Sequence, residues 1–309
     1  MPLKLSQLNS ATRLLESRAL LEGGFPARSG ETFRSDATAW AILALSRLAP
    51  AHPLLGPARD RLTTAQDPDG RVSISREHEE AFWPTALSVL AWNGSQAHEP
   101  HRSRGVLFLL KTTGHHWEKG PDDPIGHDPG VPGWPWIDGT HSWIEPTALG
   151  VLALQVEGHG QHDRVREAIR MILDRQLPHG GWNYGNTLVF GRELHPMPEN
   201  TGAALAGLAG QVEQGTVARS LDYLQGEVDR LRTPVSLGWA LLGLAAWDLW
   251  PSNGMVLVER CLANQVRYGE YDTSALCLLL LAALEGEAGA KNTLFPRVSH
   301  HHLPVVRSQ

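Results

Sequence analysis

The chain has 309 residues, 42% of them hydrophobic and 19% charged, with a formal net charge of −6. That is ample for a large core, and a net-acidic chain without a basic stripe excludes nucleic acid as a partner. Two cysteines, Cys261 and Cys277, make no disulfide framework, and no run of about 18 uncharged apolar residues could span a bilayer. The expectation is a cytoplasmic protein, with peripheral contact at a membrane surface left open.

One unit recurs along the chain: a polar amphipathic helix, a turn, then a helix that is apolar nearly all round. The polar, outer helices are predicted over Thr12–Glu22, Leu55–Gln66, His101–Lys111, Asp163–Gln176, Val217–Arg230 and Val256–Gln265. The apolar, inner helices open near Thr38, Thr85, Thr147, Thr201, Leu237 and Ser274. The first turn ends in Gly23-Gly24-Phe25. The second runs from Gln66 to Gly70, and its Asp-Pro-Asp-Gly reads as a turn, because the later ligands of a calcium loop are absent. The third connection, Thr112 to Ser142, is the longest; its tryptophans Trp117, Trp134 and Trp136, with Trp143 just beyond, argue for order. The fourth unit is the cleanest. Glu145-Pro146-Thr147 suits a helix start, where proline loses no hydrogen bond. Val165, Ile169, Ile172 and Leu173 then form one stripe of the next outer helix, which Pro178 and Gly180-Gly181 terminate before Trp182. Trp182 is expected to be structural. A second long connection leads to Glu199-Asn200-Thr201, and repeats five and six are short. The chain thus reads as one domain, residues 1–309, with repeats over about 12–285. The polar tail, residues 286–309, holds His300-His301-His302.

The run from Leu173 to Trp182, with Gln176, Gly180 and Gly181, resembles the QW repeat shared by squalene–hopene and oxidosqualene cyclases. Gln66 to Gly70, and Gln265 with Gly269, look like degenerate copies, and the inner-helix pattern TALxxLAL is similar too. Protein prenyltransferase β subunits are built from related repeats. The resemblance covers roughly Leu14 to Leu284 and implies an all-α fold. That fold is a single (α/α)6 toroid of six outer/inner helix hairpins around a central cavity, which holds an isoprenoid in those families. In such a ring all six inner N-termini lie at one end, where the long connections cap them.

Two residues before each alignment position stand Asp36, Trp83, Glu145, Glu199, Val235 and Asp272, so four acids take equivalent places around one opening. Helix entry explains aspartates well and glutamates less well. Glu145, fixed by Pro146 beneath the longest loop, is expected to have a raised pKa through desolvation and to act as the acid. Asp36, beside Arg34, is expected to stay ionised as its electrostatic partner, and Glu199 and Asp272 complete the catalytic set. Arg34 to Ala39 resembles the Asp-x-Asp-Asp-Thr-Ala motif of class II terpene cyclases, keeping the middle aspartate, Asp36, without its acidic partners. Tyr271 to Ser274 resembles the Tyr-His-Thr-Cys zinc segment of protein prenyltransferases, with Asp272 at the histidine position and no Asp-x-Cys partner. No Zn2+ and no redox cofactor are therefore expected, while a diphosphate substrate would bring Mg2+. Trp83, Trp134, Trp136 and Trp143 are candidates for lining a pocket, since cation–π contact stabilises carbocations. Asp138, His141, Tyr184 and His195 join them as substrate-binding candidates. The mouth-side histidines His78, His115, His116 and His127, with His141 and His195, offer a metal alternative, although their spacing fits no known motif. The leading function is an isoprenoid-handling enzyme acting on a small hydrophobic substrate. The alternatives are a non-catalytic toroid that binds a lipid or a protein, and an (α/α)6 glycosidase or lyase, since tryptophans stack on sugars and paired acids cleave glycosides.

Overall fold

In the computed structural model, residues 6–288 are described; the His300-His301-His302 run lies outside them. Outer and inner helices alternate in chain order. They are α1 (Ser6–Ser17) and α2 (Ser35–Leu48), α3 (Leu55–Thr63) and α4 (Pro84–Trp92), α5 (Glu99–Lys111) and α6 (Ile144–Val156), and α7 (Asp163–Asp174) and α8 (Pro198–Leu208). They continue as α9 (Gln214–Glu227) and α10 (Pro234–Ala245), then α11 (Gly254–Ala263), the single turn α12 (Gln265–Tyr268) and α13 (Thr273–Ala288). A helix apolar on every side must be enclosed on every side, and the inner helices are: Asn200 to Leu208 of α8 are all buried. Each inner helix packs on the next, and α13 packs back on α2, which closes the ring. Outer helices sit over the joints, with α3 touching α2 and α4, α5 touching α4 and α6, and α9 touching α8 and α10.

The repeat turn has a physical explanation that recurs. Gly23, Gly70 and Gly180 all have positive φ, and at each the space a Cβ would fill holds a backbone carbonyl of the next outer helix (Pro57, Arg104 and Arg219). Only glycine meets both conditions. The inner-helix threonine then clamps the residue that ends the turn. Phe25, Val72, Trp134 and Trp182 each donate their N–H to the hydroxyl of Thr38, Thr85, Thr147 and Thr201 at 2.8–3.0 Å. Each of those hydroxyls donates back to the same residue's carbonyl at 3.1–3.4 Å. Glutamine carries the joint onward: Gln66 reaches His101 O at 2.9 Å, and Gln176 reaches Ser220 Oγ at 2.7 Å.

The helix ends differ from the sequence reading in two ways. Four inner helices begin three residues before the aligned position, and α4 and α13 one residue before it, with Pro84, Pro198 and Pro234 in the first turn. The first outer helix stops at Ser17, five residues short of the predicted Glu22. There the left-handed Gly23 and Gly24 turn the chain back, so that the Leu20 N–H bonds to Gly24 O.

Candidate active site

All inner helices start at one end, and the acids proposed from sequence lie there, in different roles. Asp36 is buried with both oxygens bonded by Arg34, at 2.9 and 2.7 Å. Both of its oxygens are thereby taken up by the guanidinium fork. Asp272 accepts the Ala275 N–H at 2.8 Å and caps α13. Glu145 and Glu199 differ, because neither bonds to a cation or caps its helix.

Glu145, at the second position of α6, is half-buried. Burial pushes its carboxyl up from 4.5 to about 7; the Trp239 N–H, 3.2 Å from Oε1, opposes that shift, and the negative charge of Glu199 adds to it. Glu199, at the equivalent position of α8, accepts from the Ser236 hydroxyl at 2.8 Å and the Tyr184 hydroxyl at 3.3 Å. The Tyr184 hydroxyl is in turn made less acidic, first by burial and then by the charge of Glu199. One face of the mouth therefore carries a carboxyl poised near neutrality beside a carboxylate held by two hydroxyls.

Beneath them the ring is bridged. Trp239 of α10 meets Trp40 of α2 edge-to-face, with centroids 5.8 Å apart, and reaches Glu145 on α6. None of these helices is adjacent to another in the ring, so Trp239 stands at its centre, about 7 Å below the rim at 1.5 Å per residue. The sequence-based expectation of an open central cavity is corrected at this level. Small residues let the inner helices close in: a Cβ on Gly243 would lie 2.6 Å from Gly202 O, and the Trp239 carbonyl fills the Cβ space of Gly202. Trp40, Trp239 and Ser236 were missed because they sit in or beside runs that read as core. A tryptophan in a helix otherwise made of Ala, Gly and Leu was the available signal.

The expected aromatic lining divides. Trp134 is 2% exposed, bonds Leu109 O and stacks under the Arg164 guanidinium at 3.8 Å. It packs the core as the counterpart of Trp182 and lines no pocket. Trp83 and Trp136 pair edge-to-face at 5.0 Å, both half-buried. Trp143 packs on His141 at 4.1 Å, next to the α6 start. Asp138 and His195 are exposed and engaged elsewhere: Asp138 accepts the neighbouring Gly139 N–H, and the His195 carbonyl accepts from Asn183. Among the described residues, no three His, Cys, Asp or Glu side chains converge so as to hold a metal ion. Among them too, no helix is long and apolar enough to cross a membrane.

No family model matches the chain, and none of the curated proteins matches it. Solved structures do. A protein from Actinoplanes aligns at TM-score 0.56 and 16% identity, over 91% of this chain and 97% of its own. The type II terpene cyclase MstE from Scytonema, without ligand, aligns at 0.52 and 17%, over 93% and 84%. Its R337A variant in complex with geranylgeranyl dihydroxybenzoate, its substrate, aligns at 0.50 and 17%, over 92% and 84%. The likeness is one of fold. The closed ring of helices in this chain is similar in fold to that of a terpene cyclase.

Proposed function

We propose that this protein binds an isoprenoid chain at the mouth of the toroid and protonates it there, with Glu145 as the acid. What supports the reading is Glu145, half-buried at the α6 start and bonded by the Trp239 N–H at 3.2 Å, where burial pushes its carboxyl up to about 7. An acid with that pKa keeps its proton near neutral pH and gives it up to a carbon–carbon double bond that becomes a cation. Trp239 and Trp40, 0% and 3% exposed, close the ring beneath the acid, and Glu199 supplies a negative charge nearby. The MstE complexes, in which a terpene cyclase of the same fold holds a geranylgeranyl substrate, support the ligand class. The chemistry needs no redox cofactor and no Zn2+; Mg2+ enters only with a diphosphate substrate. Incubation with geranylgeraniol and related polyprenes, followed by product analysis, tests the activity. An isomeric product is expected from the wild type and none from Glu145→Gln.

The Trp40–Trp239 bridge favours a second reading, a toroid that binds an isoprenoid without turning it over. Binding of the same polyprenes with no product from any of them would select it.

A further inference from the structure

On the shoulder formed by the long third connection and α7 lies a wide, open cavity of about 760 Å³ lined in part by His116, Trp117, Glu118, Lys119, Asp128 and Arg170. Trp117 stacks on His115 at 5.8 Å, and its edge meets His141 at 6.4 Å. Behind this wall is an unusual cluster. Arg175 is 2% exposed and His127 3% exposed, and His141 is half-buried against Trp143. Arg175 donates to the Ser142 carbonyl, and among the described residues no carboxylate forms an ion pair with it. The two acids whose charge it feels are engaged elsewhere: Asp174 accepts the Asp128 N–H, and Asp128 accepts the Gly130 N–H. Arg175 Nε, His127 Nδ1 and His141 Nε2 are all buried without a hydrogen-bond partner among the described residues. The Asp128 N–H bond to Asp174 sets His127 beside Arg175, the Ser142 bond sets His141 there, and Asp128 lines the cavity. Gly185 keeps the space beside the guanidinium clear, since a Cβ there would stand 3.2 Å from both Arg175 and Trp143.

A buried guanidinium is normally matched by an anion, because leaving it unpaired in a low dielectric is costly. We infer that Arg175, His127 and His141 form a binding site for an anionic group, a carboxylate or a phosphate, next to the shoulder cavity. A planar guanidinium fork with imidazole nitrogens close by suits both oxyanions. The inference stands on this cluster and not on the acid chemistry at Glu145. Titration calorimetry of the full chain with inorganic phosphate, and separately with benzoate, tests it. Saturable binding of phosphate alone assigns a phosphate ligand, and of benzoate alone a carboxylate. Arg175→Gln and His127→Gln are each expected to weaken that binding about tenfold or more, while His179→Gln, on an exposed turn, leaves it unchanged. Should Arg175→Gln fail to fold, His127→Gln decides. Saturable binding of neither anion, or wild-type affinity in the folded variants, would overturn the site.

Discussion

Glu145→Gln should make the protein more stable, and more so as pH rises. The folded state raises the Glu145 pKa from 4.5 to about 7, so between those values the folded chain holds more protons than the unfolded one. Stability then falls as pH climbs through that window. Each unit is worth about 1.4 kcal/mol, so ionised Glu145 costs the fold about 3 kcal/mol above pH 7. Little of that is present at pH 4, where the carboxyl is protonated in both states. Glutamine keeps the shape and an acceptor for the Trp239 N–H without ever ionising, and so removes the penalty. Urea unfolding of both proteins at pH 5 and pH 8 measures it: the variant's advantage should grow by about 2–3 kcal/mol between the two. An advantage independent of pH, or a variant less stable at pH 8, would refute the burial of a protonated carboxyl. The same substitution should abolish turnover, a trade between stability and function.

Removing the neighbouring charge with Glu199→Gln should lower the Glu145 titration midpoint, as followed by carboxyl-carbon NMR; an unchanged midpoint would place Glu199 too far away to matter. Thr147→Val keeps volume but orphans the buried Trp134 N–H, and should cost about 1–3 kcal/mol in urea unfolding. Trp182→Ala should cost about 3–5 kcal/mol, as for other large buried aromatics, so an unchanged melting temperature would deny the turn its stapling role. Gly202→Ala forces a methyl onto the Trp239 carbonyl and should cost about 1–3 kcal/mol. By moving Trp239 it should also shift the Glu145 midpoint.

The fold was legible because its determinants are local and periodic. Apolar helices opening at Thr38, Thr85, Thr147 and Thr201, and glycines before Phe25 and Trp182, are visible in one dimension. The reason for them is not: the carbonyls that demand Gly23, Gly70 and Gly180 belong to the next repeat. The role of Trp134 was available and overlooked. It lies 13 residues before Thr147, the separation that also joins Phe25 to Thr38 and Val72 to Thr85. Spacing would have assigned it to the turn rather than to a pocket. Among the acids, the point that glutamate is not a favoured cap separated Glu145 and Glu199 from Asp36 and Asp272, and Arg34 explains Asp36. The Trp239 floor and the Ser236 bond to Glu199 join helices more than 30 residues apart in sequence. Only the closed ring brings them together.

The most direct test of acid-initiated chemistry at the mouth is turnover in D2O. Polyprenes such as geranylgeraniol are incubated with wild type and with Glu145→Gln, and the products are read by mass spectrometry. Protonation of a double bond by Glu145 places one solvent deuteron on carbon, so the wild type should yield an isomer of the substrate carrying a single deuteron, and Glu145→Gln should yield none. A product formed equally well by Glu145→Gln, or unlabelled product from the wild type, would contradict Glu145 as the acid.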